Sequence, residues 1–188
     1  MNRADSDYIS PENYIKVHES YMTGFYERKI VLEDNLEFER VSTEVMTLIG
    51  AIILPGDLKL YVEKYFVIQV SDNRTEYMVT TSYDYQLSFA GYSSSDVFRY
   101  DNDHVHSTKG HSSEFHKHEF DPPGTQKKGF PIEIGFLKWP PLNLVIEEAY
   151  QYFLDYVETG KVDIAKLGKK RESAPLALRG EVKTSEND

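Results

Sequence analysis

Between Phe38 and Phe89 the chain alternates apolar and polar residues and is cut by short turn signals, a pattern that leaves few architectures open. FERVSTEVMTLIGAIIL (Phe38–Leu54) is rich in branched residues and stops at Pro55-Gly56-Asp57. LKLYVEKYFVIQV (Leu58–Val70) begins in alternation, with Leu58, Leu60 and Val62 on one face and Lys59, Tyr61 and Glu63 on the other. Ser71-Asp72-Asn73-Arg74 makes the next turn. TEYMVTTSYDYQLSF (Thr75–Phe89) follows, with Tyr77, Val79, Thr81, Tyr83 and Tyr85 predicted to share a face. Connections this short favour an antiparallel meander.

Downstream, Trp139-Pro140-Pro141 precedes the clearest helical stretch, Leu142–Thr159. Leu142, Val145, Ile146, Ala149, Phe153 and Tyr156 recur there at three- and four-residue steps, and Gly160 is a good stop. Such a stripe reads as core. The predicted class is therefore α+β, an antiparallel sheet of about four to six strands packed against a C-terminal amphipathic helix. A short helix is predicted within PENYIKVHESYM, with Ser10 as N-cap and Pro11 at its first position. Residues 1–24 read as an N-terminal extension, 25–160 as a single α+β domain, and 161–188 as a polar tail, mobile from about Lys169.

Bulk properties narrow the chemistry. The 188 residues contain no cysteine, which excludes disulfides, thiolate metal sites and Cys nucleophiles. The longest apolar run, around Leu48–Leu54, is too short to span a bilayer. MNRADSDYIS lacks the apolar segment of a signal peptide, so no membrane and a cytoplasmic location are predicted. The net charge of -10 argues against wholesale nucleic-acid binding. From Asp96 to Lys128, however, acids and bases nearly balance, and a local anion site on an acidic body is compatible with that.

Val97–Phe120 carries five of the six histidines: His104, His106, His111, His116 and His118. Imidazole titrates near neutral pH and is a common metal ligand, so this density points to proton transfer or metal binding. In a strand, Arg99 and Asp101 share one face and Phe98 and Tyr100 the other. The same alternation pairs His116 with His118 and sets Phe115, Lys117 and Glu119 opposite. Arg99, Asp101, His116 and His118 are expected to converge on one solvent-accessible surface, with His104 or His106 at its rim. His18, outside the cluster, reads as a surface or helix-end residue.

The block FRYDNDHVH…FHKHEF, followed by Trp139-Pro140-Pro141 and a helix with Glu147-Glu148, resembles the TumE-type toxin family of prokaryotic toxin–antitoxin modules. SYDYQL (Ser82–Leu87) and VEKYF (Val62–Phe66) are similar to the preceding strands of that pattern. The resemblance covers roughly Leu58 to Tyr156. Its RYDN…HKH portion is the specific part; the rest is generic sheet and helix. The first 23 residues, the PPGTQKKG loop and the tail are additions relative to the usual shorter members. The resemblance implies a small cytosolic toxin neutralised by a cognate antitoxin protein and implies no particular reaction.

Three chemistries suit these residues. The first is a metal-independent ribonuclease without a cofactor. His116 and His118 would be its acid and base, Arg99 its phosphate clamp, and Asp101 would orient a histidine. His104, His106, Lys117 and Tyr100 are the candidate substrate-binding residues, and Tyr83, Tyr85 and Tyr100 could stack bases. The second is a non-catalytic module that binds antitoxin or nucleic acid. The third, ranked lowest, is a metallohydrolase, with His116 and His118 joined by Asp101, Asp103 or Glu114; no recognised zinc spacing is present. Candidate partners are the antitoxin, RNA and a second copy of the chain. Walker A, nucleophile-elbow, zincin and dinucleotide glycine patterns are absent.

Overall fold

The computed structural model describes residues 9–92, 95–102, 116–121, 123–124, 132–133 and 140–167. Among the described residues there are eight strands: β1 (Glu33–Asp34), β2 (Glu37–Arg40), β3 (Val45–Leu54), β4 (Leu58–Val70), β5 (Glu76–Phe89), β6 (Asp96–Asp101), β7 (His116–Glu119) and β8 (Ile132–Glu133). They form one sheet in the order β1-β3-β4-β5-β6-β7-β8, with β2 also paired to β3. Every pairing is antiparallel. The expected class holds, with a larger sheet than the sequence suggested: the extra strands are two to four residues long, too short for alternation to register.

Helices α1 (Pro11–Glu27) and α2 (Leu142–Tyr152) both lie on one face of this sheet, where Tyr14 of α1 meets Phe66 and Tyr152 of α2 meets Phe89. That face is built from Leu48, Ile52, Leu54, Leu58, Leu60, Val62, Phe66, Tyr83, Tyr85, Leu87 and Phe89, all at most 1% exposed. Burying a side chain of this size contributes about 1.5–3 kcal/mol, so this layer dominates stability. The opposite face, carrying Lys59, Tyr61, Glu63, Asp84, Gln86 and Arg99, has neither helix on it. Among the described residues no helix is long and apolar enough to cross a membrane.

Ser10 caps α1 by accepting from the Asn13 amide at 3.3 Å, and Pro11 opens the helix. The helix runs 17 residues and buries Tyr14, His18, Met22 and Phe25 at steps of four, four and three. The boundary at residues 24/25 thus falls inside an element that belongs to the core. His18 is 6% exposed and stands edge-on to Phe38 and Tyr21, so it is a packed residue rather than a surface one. Beneath α1 lies Lys64, fully buried at 0% exposure. Its ammonium donates to the Tyr14 hydroxyl at 3.1 Å and sits over the Tyr14 and Phe66 rings at 5.5 and 5.3 Å. Two aromatic faces and a hydroxyl offset part of the cost of desolvating that charge.

One irregularity re-aims half of β5. Tyr65 pairs with Ser82 but Phe66 pairs with Thr80, leaving Thr81 as an extra residue on β5. A bulge reverses the facing of everything beyond it. Tyr77 and Val79 therefore face away from the helices, whereas Tyr83 and Tyr85 point into the core, correcting the shared face expected for all of them. At the C-terminal end, α2 passes into a π turn (Phe153–Val157), with the Glu158 amide donating to the Phe153 carbonyl at 2.9 Å. This wider turn rotates Tyr156 out of the stripe, and it is 45% exposed. The tail beyond residue 167 lies outside the described residues.

Gly50 faces the two residues, Asn35 and Leu36, that bulge between β1 and β2 along the edge of β3. A Cβ there would stand 2.5 Å from the Asn35 carbonyl oxygen, at a φ of +154°. Gly24, inside α1, has nothing within 4 Å of such a Cβ. Gly50→Ala is expected to cost more than about 1 kcal/mol. Gly24→Ala is expected to stabilise by up to about 1 kcal/mol through helix propensity. Urea denaturation of the two variants checks both signs.

Candidate functional site

Strands β6 and β7 place four of the predicted residues side by side. Their register sets Arg99 opposite His118 and Asp101 opposite His116, so alternation puts all four on the sheet face away from the helices. Tyr100 opposite Lys117, and Phe98 opposite Glu119, fall on the helix face.

The four side chains form one connected unit. The Arg99 Nε donates to Asp101 Oδ2 at 2.6 Å. Asp101 Oδ1 lies 3.3 Å from His116 Nε2, and Oδ2 lies 3.8 Å from His118 Nε2. The two Nε2 atoms are 2.8 Å apart. That gap holds a single hydrogen, donated by one ring and accepted by the other, or one cation bound by both. Through these atoms the rings cannot stand on opposite sides of a phosphate as separate acid and base. The surface expected to be solvent-accessible is instead largely closed: His116 is 1% exposed, Asp101 5% and His118 9%. Arg99 alone is open, with 40% of its side chain exposed.

Asn102, which sequence reasoning passed over, anchors this end of β6. Its side-chain carbonyl accepts from the Tyr83 amide at 2.9 Å, and its amide nitrogen donates to the Thr81 carbonyl at 3.0 Å. The carboxamide thereby stands in for a peptide group just where β5 bulges and the β5–β6 ladder stops. A strand-terminal Asp-Asn pair beside a threonine-rich strand is the only sequence hint of it.

Other expected residues are elsewhere. Lys117 donates to Glu148 at 2.5 Å and to Glu119 at 2.9 Å, and Tyr100 donates to Glu148 at 2.7 Å. Burial pulls the Lys117 pKa down, but the two carboxylates outweigh it and leave the ammonium more basic than usual. Burial, with help from Glu148, raises the Tyr100 phenol. These two fasten α2 to the sheet and are separated from the histidine unit by the sheet itself. Tyr83 and Tyr85 are buried under the helices and cannot stack a base. His104, His106, His111, Asp103 and Glu114 lie outside the described residues.

Rows across the open face extend the site. Asp101 is flanked on β5 by Asp84, and Asp84 on β4 by Glu63. Both Glu63 oxygens accept tyrosine hydroxyls, from Tyr61 at 2.9 Å and Tyr65 at 2.7 Å. Burial first, then the Glu63 contact, lifts the Tyr61 pKa from 10.0 to about 12. Among the described residues, Asp101, His116 and His118 are the one set of three metal-ligating groups whose donor atoms all lie within 4.8 Å of one another.

The chain matches no protein-family model, no curated protein and no solved structure.

Two tests follow from this arrangement. Asn102→Ala leaves an amide and a carbonyl of β5 without their partner and is expected to cost about 1–3 kcal/mol in chemical denaturation. Folding raises the Tyr61 pKa, so the folded chain holds that proton more tightly. The stabilisation is complete below pH 10.0 and is lost as pH rises toward about 12. Tyr61→Phe should flatten that part of the alkaline stability curve, followed by phenolate absorbance and circular dichroism.

Proposed function

We propose that this chain is a toxin-like hydrolase that cleaves RNA at the Arg99–Asp101–His116–His118 unit, acting in the cytoplasm under the control of a cognate antitoxin protein. The observation that carries this reading is the meeting of a half-exposed guanidinium with a buried, linked carboxylate and imidazole pair on one sheet face. Phosphodiester cleavage needs a base for the attacking oxygen and positive charge for the phosphorane. Arg99 supplies the charge: its Nε is committed to Asp101, and its terminal nitrogens are further donors suited to phosphate oxygens. His118 is opposite Arg99 in the register and is the more exposed ring, so it is the base that meets substrate. It takes the proton of a 2′-hydroxyl as that oxygen bonds to phosphorus. The bond to the 5′-oxygen breaks, and the leaving oxygen takes a proton from water. A 2′,3′-cyclic phosphate and a 5′-hydroxyl result. His116 and Asp101, behind His118, hold its ring and spread the charge it gains. RNA as substrate and the antitoxin as partner rest on the resemblance of RYDN…HKH to the TumE-type toxins.

The test is an end-labelled single-stranded RNA incubated with the purified chain. Wild type should release cyclic-phosphate ends. His118→Gln and Asp101→Asn should slow cleavage by about 10²–10⁴-fold while the chain stays folded. Lys16→Gln, exposed on α1, should leave the rate near wild type. Absence of cleavage by the wild type, or full activity of His118→Gln, would contradict the reading.

A further inference from the structure

We infer that Asp101, His116 and His118 form a binding site for a divalent first-row transition metal ion, with Arg99 as the residue that orients the carboxylate ligand. The inference rests on the hydrolase reading only for what the ion would do there. The site itself is argued from geometry.

The spacing is that of ligands sharing one ion. Imidazole nitrogens and carboxylate oxygens bind zinc-like ions at about 2.0–2.2 Å, so neighbouring donor atoms stand about 3.0 Å apart in an octahedral shell and about 3.4 Å apart in a tetrahedral one. The observed separations are 2.8 Å between the Nε2 atoms and 3.3 Å from His116 Nε2 to Asp101 Oδ1. The third edge, measured to the other carboxylate oxygen, is 3.8 Å. Two imidazoles and one carboxylate from adjacent strands, presented on one side, make the facial arrangement found in transition-metal sites.

The surroundings agree. Asp101 carries a second interaction that fixes its plane: Arg99 holds Oδ2 at 2.6 Å and leaves Oδ1 turned to His116. Metal-binding carboxylates are commonly held this way by an outer hydrogen bond. The ligands are pinned by strand register rather than by a loop, so the site is formed before an ion arrives. Asp84 and Glu63 continue the carboxylate row across β5 and β4. Like charges directly opposite one another across strands repel, and a cation at the end of the row relieves that repulsion. Imidazole donors favour zinc or iron over magnesium or calcium, which prefer all-oxygen shells. An ion held by the Nε2 lone pairs would take over from His118 as the source of the base: in the loaded protein that ring is a ligand, and the ion would supply phosphate polarisation and a more acidic water.

The experiment uses the full chain stripped with a chelator and then titrated calorimetrically with zinc, manganese and magnesium chlorides. Saturable binding of one equivalent of zinc or manganese is expected, with a rise in Tm, and no comparable response to magnesium. Asp101→Asn and His118→Gln, checked for folding by circular dichroism, should weaken binding by at least about tenfold. Lys16→Gln, on the exposed side of α1 and far from the site, should bind as wild type does. Cobalt substitution gives a direct readout should Asp101→Asn fail to fold: its visible d–d bands should appear in wild type and change or vanish in His118→Gln. No saturable zinc or manganese binding, or undiminished binding by His118→Gln, overturns the inference. Metal binding without RNA cleavage supports the metal site and overturns the hydrolase reading. RNA cleavage by stripped protein that binds no metal does the reverse.

Discussion

The antiparallel pairing of β6 with β7 is the constraint on which the site depends. It sets Asp101 against His116 and Arg99 against His118, so four side chains from two separated segments occupy neighbouring positions on one face. A slip of one residue would send both histidines to the helix face and bring Lys117 to the open one, because side chains alternate. Two features oppose that slip. Tyr100 and Lys117 are both tied to Glu148 on α2, which fixes the phase of each strand from the helix side. Asn102 does the same from the end of β6 by bonding to the β5 backbone.

The helix face and the open face carry different tasks. The helix face is largely apolar; its charges include Lys64 and the cluster of Lys117 with Glu119 and Glu148. The open face is a grid of polar and aromatic side chains that leads to the histidine unit: Glu63, Asp84 and Asp101 in one row, Tyr61, Gln86 and Arg99 in the next. The bulge at Thr81 lets one strand serve both. Before it, Met78 and Thr80 face the helices; after it, Tyr83 and Tyr85 do, so the aromatic end of β5 reaches the core while Asp84 and Gln86 reach the open face beside Asp101 and Arg99.

Alternation and turn chemistry were enough to read the antiparallel sheet, the capped start of α1 and the core stripe of α2. They also put Arg99 with Asp101 and His116 with His118, because a period of two needs no tertiary information. The rest was set by contacts that no local pattern carries. The bulge arises from a mismatch between two strands, so the sharing of faces along β5 could not be read from β5 alone. Lys64 sits at an apolar position of an otherwise regular strand, and its burial depends on Tyr14, fifty residues away in sequence. His18 reads as a surface residue from sequence because Phe38, on β2, covers it only after folding. The closure of the histidine unit, and the meeting of its Nε2 atoms, depend on side-chain packing that strand spacing does not specify.

The central claim is that His116, His118 and Asp101 act as one unit rather than as separate groups. The most direct measurement is a pH titration of metal-free protein labelled with ¹⁵N at its histidine rings, following the Nε2 resonances of His116 and His118. Coupled curves are expected, in which the first proton between the rings suppresses uptake of a second and Asp101→Asn shifts both rings together. Two independent single-site curves in the ordinary imidazole range, unmoved by Asp101→Asn, would contradict that claim.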